Sequence, residues 1–377
     1  MTKKLNILFL CGWYPSKVFP TNGDFIQRHA EAVSTKHDIS VIHIVSDKNC
    51  KKNIETTFIE INDVKTHIAY VKQTKNPILK LIWFWKSYLV LLKKINQFDV
   101  VHLNEIFPFG LFALHLKWFY KKPFIITEHF TGYLEASKLK ISFFEKLISK
   151  RIVKKAYAIA TVSNYLTKNM QNLGFKGNFV TVPNVVDTDL FLPKKKEHKT
   201  LKLVHVSSLK DNHKNISGML RVAKLLEDKL DYFEWNFIGN NGDDYQEYLR
   251  TLDLKKGKIS FIEHQTQKEL VSNLQNASVC ISFSNYETFG IVITEAIACG
   301  TPVIATNTGI AIDFKELDFC KVIPIKNEEL LFNEILNSKN TFANIDTDVM
   351  HTFIKQQYNK EVVLDKFSLL YYQSLKK

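Results

Sequence analysis

Short runs rich in apolar and β-branched residues alternate with helix-length stretches along most of this chain, and the alternation occurs twice. "LNILFL", the stretch 23–35, "DISVIHIV", the apolar segment 77–98, "DVVHL", "FPFGLFALHLKWFY", "PFIITEH" and "AYAIATVS" form the first series. The rhythm breaks at "LPKKKEHKTLK", where a proline and a run of lysines read as a linker. It restarts with "LKLVHVSSL", "FEWNFIGNN", "KISFIEH", "ASVCISFS" and "TPVIAT". A strand covered on both faces is continuously apolar, and parallel strands need a crossover helix, so the pattern confines the chain to the α/β class. Over 377 residues it predicts two doubly wound, Rossmann-like domains facing a cleft. The first spans 1–193, the second 194–355, and a C-terminal helix over 356–377 packs back toward the first.

Ligands of open α/β sheets collect beyond the carboxyl ends of the strands. His102, the pair Glu128-His129, Ser163, Gly239 and Ser284 fall at or just past such ends in this reading. No strand is followed by G-x-G-x-x-G, and "IGNNGDD" lacks the third glycine, which sets a dinucleotide dehydrogenase aside. "ETFGIVITEA" is more informative. Here Glu287 precedes a helix predicted over 288–299 and closed by Gly300, and Glu295 lies inside it, about 10 Å along the axis from its start. The N–H groups of Phe289, Gly290 and Ile291 at the helix start form a ready anion site. A carboxylate accepts two hydroxyl hydrogen bonds. The pair therefore suits a nucleotide-sugar whose diphosphate rests on the helix, one glutamate holding the sugar and the other the ribose. From spacing alone, two glutamates on an ordinary helix, one capping and one solvated, fit as well.

The net charge of +13 is uneven: residues 1–190 hold 27 Lys+Arg against 14 Asp+Glu, and the remainder 24 against 24. An anionic partner for the first half is implied. Two segments there carry the signal. "KLKISFFEKLISKRIVKKA" places Ile141, Phe144, Ile148 and Ile152 on one helical face and Lys138, Lys146, Lys150 and Lys154 on the other. "ILKLIWFWKSYLVLLKKI", with Trp83, Phe84 and Trp85, either packs in the core or dips into a membrane interface. No stacking or helix-turn-helix pattern accompanies the charge, so nucleic acid is not an expected partner. Five cysteines without ligand spacing and an apolar start too short for a signal peptide point to a cytoplasmic protein, and the basic half to one peripheral at the inner membrane face.

"SNYETFGIVITEAIACGTPVIAT" resembles the signature of the retaining family-4 glycosyltransferases of GT-B fold, in which an E-x7-E pair precedes a small-residue turn. "WYPSKVFPTNGDFIQRHAEAV", "IITEHF", "TVSNYLTKNM", "VPNVVDTDLF" and "LVHVSSLKDNHKNISGML" are similar to other family segments, in the right order. The resemblance implies a nucleotide-sugar donor, with His129, Lys214 and Glu287 catalytic and Gly23, Ser208, Phe289, Gly290, Ile291 and Glu295 holding the donor. It implies no cofactor and no metal, and the sequence has no D-x-D at a strand end. The family's usual Arg is here Ser208, which leaves the diphosphate to Lys214, the helix start and Lys210. The N-terminal half would serve the acceptor, a glycan or lipid-linked sugar of cell-surface polysaccharide or glycolipid synthesis; Glu105, which follows a strand in "HLNEIFPFG", is a weaker acceptor-site candidate and serves equally well as a helix cap. A soluble transferase on a small acceptor, a sugar-phosphate synthase and a catalytically idle binding subunit are the other readings.

Overall fold

The computed structural model describes residues 3–137, 139, 141–195 and 200–376. The first half comprises β1 (Asn6–Cys11), α1 (Asp24–Ser34), β2 (Asp38–Asp47), β3 (Ile54–Ile61), β4 (Val64–Lys72), α2 (Pro77–Leu92), β5 (Val100–Asn104), α3 (Gly110–Phe119), β6 (Phe124–Glu128), α4 (Phe143–Lys155), β7 (Ile159–Thr161), α5 (Asn164–Asn172) and β8 (Phe179–Thr181). Its sheet has the order β3-β4-β2-β1-β5-β6-β7-β8, parallel except at the β3–β4 edge. Three of these strands, β3, β4 and β8, fall outside the predicted rhythm. The β3–β4 hairpin turns on Asn62 and Asp63, at φ 50° and 60°, and this Asn-Asp pair was the available turn signal.

The second half comprises β9 (Leu201–Val206), α6 (Asp211–Lys214), α7 (Ile216–Glu227), β10 (Phe233–Ile238), α8 (Gln246–Leu252), β11 (Gly257–Ile262), α9 (Gln267–Asn276), β12 (Val279–Ser282), α10 (Ile291–Ala298), β13 (Val303–Thr306), β14 (Cys320–Ile323), α11 (Glu328–Thr341), α12 (Thr347–Tyr358) and α13 (Lys360–Ser374). The order β11-β10-β9-β12-β13-β14 is parallel throughout. Leu8, Leu10, Val101 and Ile126 in the first sheet, and Leu203, Phe233 and Trp235 in the second, are buried. Covered faces of this kind are what the continuous apolar runs require.

The chain returns at its end to the first sheet. His37 Nε2 meets Ser368 Oγ at 2.9 Å, and His102 Nδ1 meets Tyr371 Oη at 2.7 Å. His102 therefore sits inside β5, its Nε2 2.6 Å from Thr127 Oγ1. It is a core side chain rather than a strand-end group, and burial pushes its imidazole well below the ordinary range.

Two helices differ from the sequence reading. In α4 the buried side chains are Ser149, Ile152 and Val153. Phe144 is exposed beside Phe143 and Leu147, and Lys150 Nζ sits over the Phe175 ring, 5.9 Å from its centre. Phe143, Leu147, Phe144 and Ile148 share one face of its first turns, yet the helix buries the adjacent face with Ser149, Ile152 and Val153. Lys138 lies outside the described residues. In α2, Tyr88, Leu91 and Leu92 are buried while Ile78, Leu81 and Ile82 stay exposed. The segment thus packs along one face, and its other face is exposed. No helix among the described residues is long and apolar enough to cross a membrane.

Gly23 caps α1 at φ 77°, and a Cβ there would lie 2.7 Å from the backbone carbon of Trp13. Gly23→Ala should therefore combine left-handed strain with a backbone clash, lowering stability by about 2 kcal/mol or more in denaturant titration.

Candidate active site

The carboxyl ends of both sheets face one cleft. A cavity of about 360 Å³ there is lined from the first domain by Trp13, Asn22, Phe25 and His129, and from the second by Ser207, His213, Lys214, Glu287 and the segment 288–292. A neighbouring cavity of about 770 Å³ shares Phe25, Ser207, His213, Lys214 and Ile291 and continues past Ser208, Gly239, His264 and Glu295. Volumes of this size are typical of small-molecule sites.

The helix that the sequence started at residue 288 begins at Ile291. Gly290 caps it at φ 87°, a conformation that glycine adopts without penalty, so Thr288 and Phe289 form the approach to α10. The first N–H groups of a helix have no intrahelical acceptor. Those of Phe289, Gly290 and Ile291 precede the first such bond, Ile293 N–H to the Gly290 carbonyl at 3.0 Å. The Phe289 side chain points away, buried toward Tyr358, and the Ile291 side chain lines the cleft.

Glu287 is the most engaged residue of the cleft. Its carboxylate pairs with Lys214 Nζ, accepts the Ser284 hydroxyl at 2.9 Å, and lies 3.6 Å from His213 Nε2. Burial alone would raise its pKa, but Lys214 and His213 hold it well below the ordinary carboxylate range. Lys214 ends the one-turn helix α6, where Asn215 turns the chain at φ 54°. That turn is fixed to the Glu287 loop, because Asn285 N–H donates to the His213 carbonyl at 2.8 Å and the His213 ring stacks on Tyr286. His213, to which the sequence analysis gave no role, is set by the fold beside Glu287.

His129 follows β6. It is buried, with its ring 4.5 Å from that of Phe25, and its Nε2 has no hydrogen-bond partner among the described residues. Burial, then the nearby His29 and His102, pushes its pKa well below the ordinary value, so the ring is neutral. The adjacent Glu128 organises the backbone, accepting from the N–H groups of Ile106, His129 and Phe130. Gly23 is buried behind the cleft wall against Trp13, and its neighbour Asn22 is the lining residue. Ser208 is exposed in the larger cavity, where its carbonyl accepts from Asn241 Nδ2 at 2.7 Å. Ser207, which lines both cavities, is closer to the centre.

Glu295 meets a partner from the opposite domain. Arg28 of α1 reaches it across the cleft, Nη1 to Oε1 at 2.8 Å, and also holds Asp24 at 3.1 Å. The Gln267 amide, with its oxygen turned to the guanidinium, accepts from Nη2 at 2.8 Å. Burial still raises the Glu295 pKa above its ordinary value against the pull of Arg28. Arg28 went unmarked in the sequence because, four residues after Asp24, it reads as an ordinary surface helix pair. Ser163 makes a second interdomain link, donating its hydroxyl to the Thr288 carbonyl.

Residues 25–190 match the family model "Glycosyltransferase Family 4", and residues 187–330 match "Glycosyl transferases group 1". A probable sucrose-phosphate synthase of Thermosipho melanesiensis is 34% identical over 36% of this chain and 33% of its own length. An uncharacterised protein of the Klebsiella pneumoniae cps region is 25% identical over 75% of this chain and 82% of its own. Among solved structures, sucrose-phosphate synthase of Thermosynechococcus elongatus superposes with TM-score 0.78 at 16% identity, covering 98% of this chain and 99% of that one. HepE of Anabaena, solved with UDP-glucose, superposes with TM-score 0.72 at 15% identity, covering 98% and 100%. The fold is GT-B, and both halves of the chain carry glycosyltransferase family domains.

Proposed function

We propose that this two-domain glycosyltransferase chain moves a hexosyl group, with retention of configuration, from a nucleotide-diphosphate sugar to a glycan or lipid-linked acceptor at the inner face of a membrane. The observation that carries this is the meeting of Lys214, Glu287 and the start of α10 in one cleft. A departing diphosphate needs positive charge that is already in place, and Lys214 with the helix N–H groups supplies it. Glu287, its carboxylate fixed by Ser284 and Lys214, accepts from sugar hydroxyls, and the neutral imidazole of His129 offers a further contact. In the step, the anomeric C–O bond to phosphate breaks and the bond to the acceptor oxygen forms on the same face. The acceptor proton passes to the departing diphosphate. The reading includes no metal and no cofactor, so turnover should persist in chelator.

The probes are UDP-glucose and UDP, which the HepE structures contain. A ligand that binds only the folded state raises the melting temperature by mass action. The expected result is a shift with UDP-glucose, followed by slow sugar release with α configuration in proton NMR. Release with β configuration overturns retention. No shift with any nucleotide-sugar, together with no release, overturns the donor reading.

The membrane part of the reading rests on the exposed side of α4. Phe143 and Phe144 on α4 are exposed, with Arg151 and Lys154 also exposed on that helix. Apolar and basic side chains together suit an anionic interface, where each cation adds about 1 kcal/mol. Cosedimentation with phosphatidylglycerol vesicles should fall as salt rises. It should fall about tenfold or more in Phe143→Ser/Phe144→Ser, since fully burying one Phe is worth about 1.5–3 kcal/mol. Absence of vesicle binding at low salt would place the acceptor in solution.

A further inference from the structure

β3 forms the outer edge of the first sheet. Among the described residues it pairs only with β4, in an unbroken register from Ile54 opposite Val71 to Ile61 opposite Val64. Phe58, Ile59 and Ile61 are 53%, 44% and 51% exposed. A long apolar edge strand is a template for another chain, and proteins ordinarily blunt one with a lysine, a proline or a bulge. None of the three interrupts Ile54–Ile61.

The ladder decides which backbone groups this edge offers. Lys72 N–H donates to the Asn53 carbonyl at 3.1 Å, so residues 53 and 72 form a hydrogen-bonded pair. Alternation along an antiparallel ladder then turns Glu55, Thr57, Ile59 and Ile61 toward β4 and leaves the N–H and C=O groups of Ile54, Thr56, Phe58 and Glu60 pointing outward. The two-residue turn at Asn62 and Asp63 closes on Ile61 and Val64 in the same phase. Side chains two apart share a face, and these four lie on the α2 side of the sheet. There Lys94, just past α2, donates to the Thr56 hydroxyl at 3.1 Å, and the Phe58 ring lies 4.8 Å from that of His67. Lys94 and Glu60 are exposed, and neither forms an ion pair among the described residues.

We infer that β3 is a self-pairing edge: two copies of this chain join their β3 strands antiparallel about a two-fold axis through Phe58. This centring sets the free N–H and C=O of Phe58 against those of the second Phe58, and those of Thr56 against those of Glu60 on either side. The two Phe58 rings form a cross-strand aromatic pair. Glu60 of each copy lies opposite Thr56 of the other, beside the Lys94 that already holds that hydroxyl. One sequence therefore supplies both members of each charge pair, as an isologous contact requires. An axis through Glu60 would set carboxylate against carboxylate, and one through Thr57 would set Glu60 against Ile54.

The test is light scattering on the full chain over a concentration series, in which the mass should rise toward twice 43.7 kDa. Phe58→Pro removes an outward N–H from each copy and no β3–β4 bond, so it should weaken the dimer about tenfold or more, the loss being counted twice across the axis. Phe58→Lys blunts the edge without touching the backbone and should do the same. Glu60→Lys should also weaken the dimer about tenfold, and adding Lys94→Glu should restore it, because the exchanged charges meet again across the axis. Register is read by oxidation. Phe58→Cys should cross-link, since Cα atoms of a hydrogen-bonded pair lie about 5.5 Å apart, whereas Glu60→Cys, about 13 Å from its mate along the strands, should not. The five native cysteines are buried and do not compete. A monomer at every concentration, or a dimer that ignores Phe58→Lys, overturns the inference. Cross-linking through Glu60→Cys alone, or a Glu60→Lys loss that Lys94→Glu leaves unrepaired, overturns the axis through Phe58. None of these residues lines the donor cleft, so the outcome is independent of the transferase reading.

Discussion

Lys214→Ala is expected to lower kcat by about 10²- to 10³-fold, the usual result of removing one preorganised group from a developing oxyanion. The same substitution leaves Glu287 buried without its cation, and breaking one side of a buried pair costs about 3 kcal/mol or more. Activity and stability therefore need separate readouts. Glu287→Gln in the Lys214→Ala background removes the orphaned charge, so it should restore much of the stability and none of the turnover. The pH dependence carries a sign that checks the pairing. Because Lys214 and His213 hold the Glu287 pKa below its unfolded value, the pair's contribution is complete above about pH 5 and is lost as the pH falls below that. The stability gap between wild type and Lys214→Ala should accordingly be widest near neutrality and close on acidification. A Lys214→Ala enzyme with wild-type turnover would put the diphosphate elsewhere.

The α/β class and the neighbourhood of the site were readable because both are written in local pattern. Buried parallel strands announce themselves as apolar runs, and Glu287, Phe289 and Gly290 lie within four residues of one another at a helix start. What stayed hidden depends on contacts between distant residues. Lys214 and Glu287 are 73 positions apart, and separate roles for them, one on phosphate and one on sugar, gave no hint that they touch. His213 looked ordinary until the turn at Asn215 set it over Tyr286. The rotation of α4 was misjudged for a different reason. The apolar side chains of its first turns share one face in the sequence, but packing buried the adjacent face, with Ser149 inside in preference to Phe144. The edge hairpin escaped because β3, largely exposed, lacks the apolar continuity used to find the other strands.

Arg28→Ala and Glu295→Ala are each expected to lower stability by about 3 kcal/mol, because each leaves one charge of a largely buried pair without its partner. Together they should cost well under the sum, since the second substitution removes a charge already orphaned. The functional effects should diverge. If Glu295 holds the ribose, Glu295→Ala weakens UDP binding, with less effect on turnover at saturation, because the contact is remote from the reacting carbon. Arg28 holds the same carboxylate, Nη1 to Oε1 at 2.8 Å. A ribose must therefore share Glu295 with it or displace it, and the domains are joined at this point by Arg28 and by Ser163. Arg28→Ala should then cost far less UDP affinity than Glu295→Ala. Arg28→Lys, which keeps the charge but loses the planar fork that also engages Asp24 and Gln267, should fall between wild type and Arg28→Ala in stability. The measurements are paired, chemical denaturation for the ion pair and UDP titration for the ribose contact. Equal losses of UDP affinity in the two alanine variants would mean that Glu295 is a domain tie and that the ribose is held elsewhere.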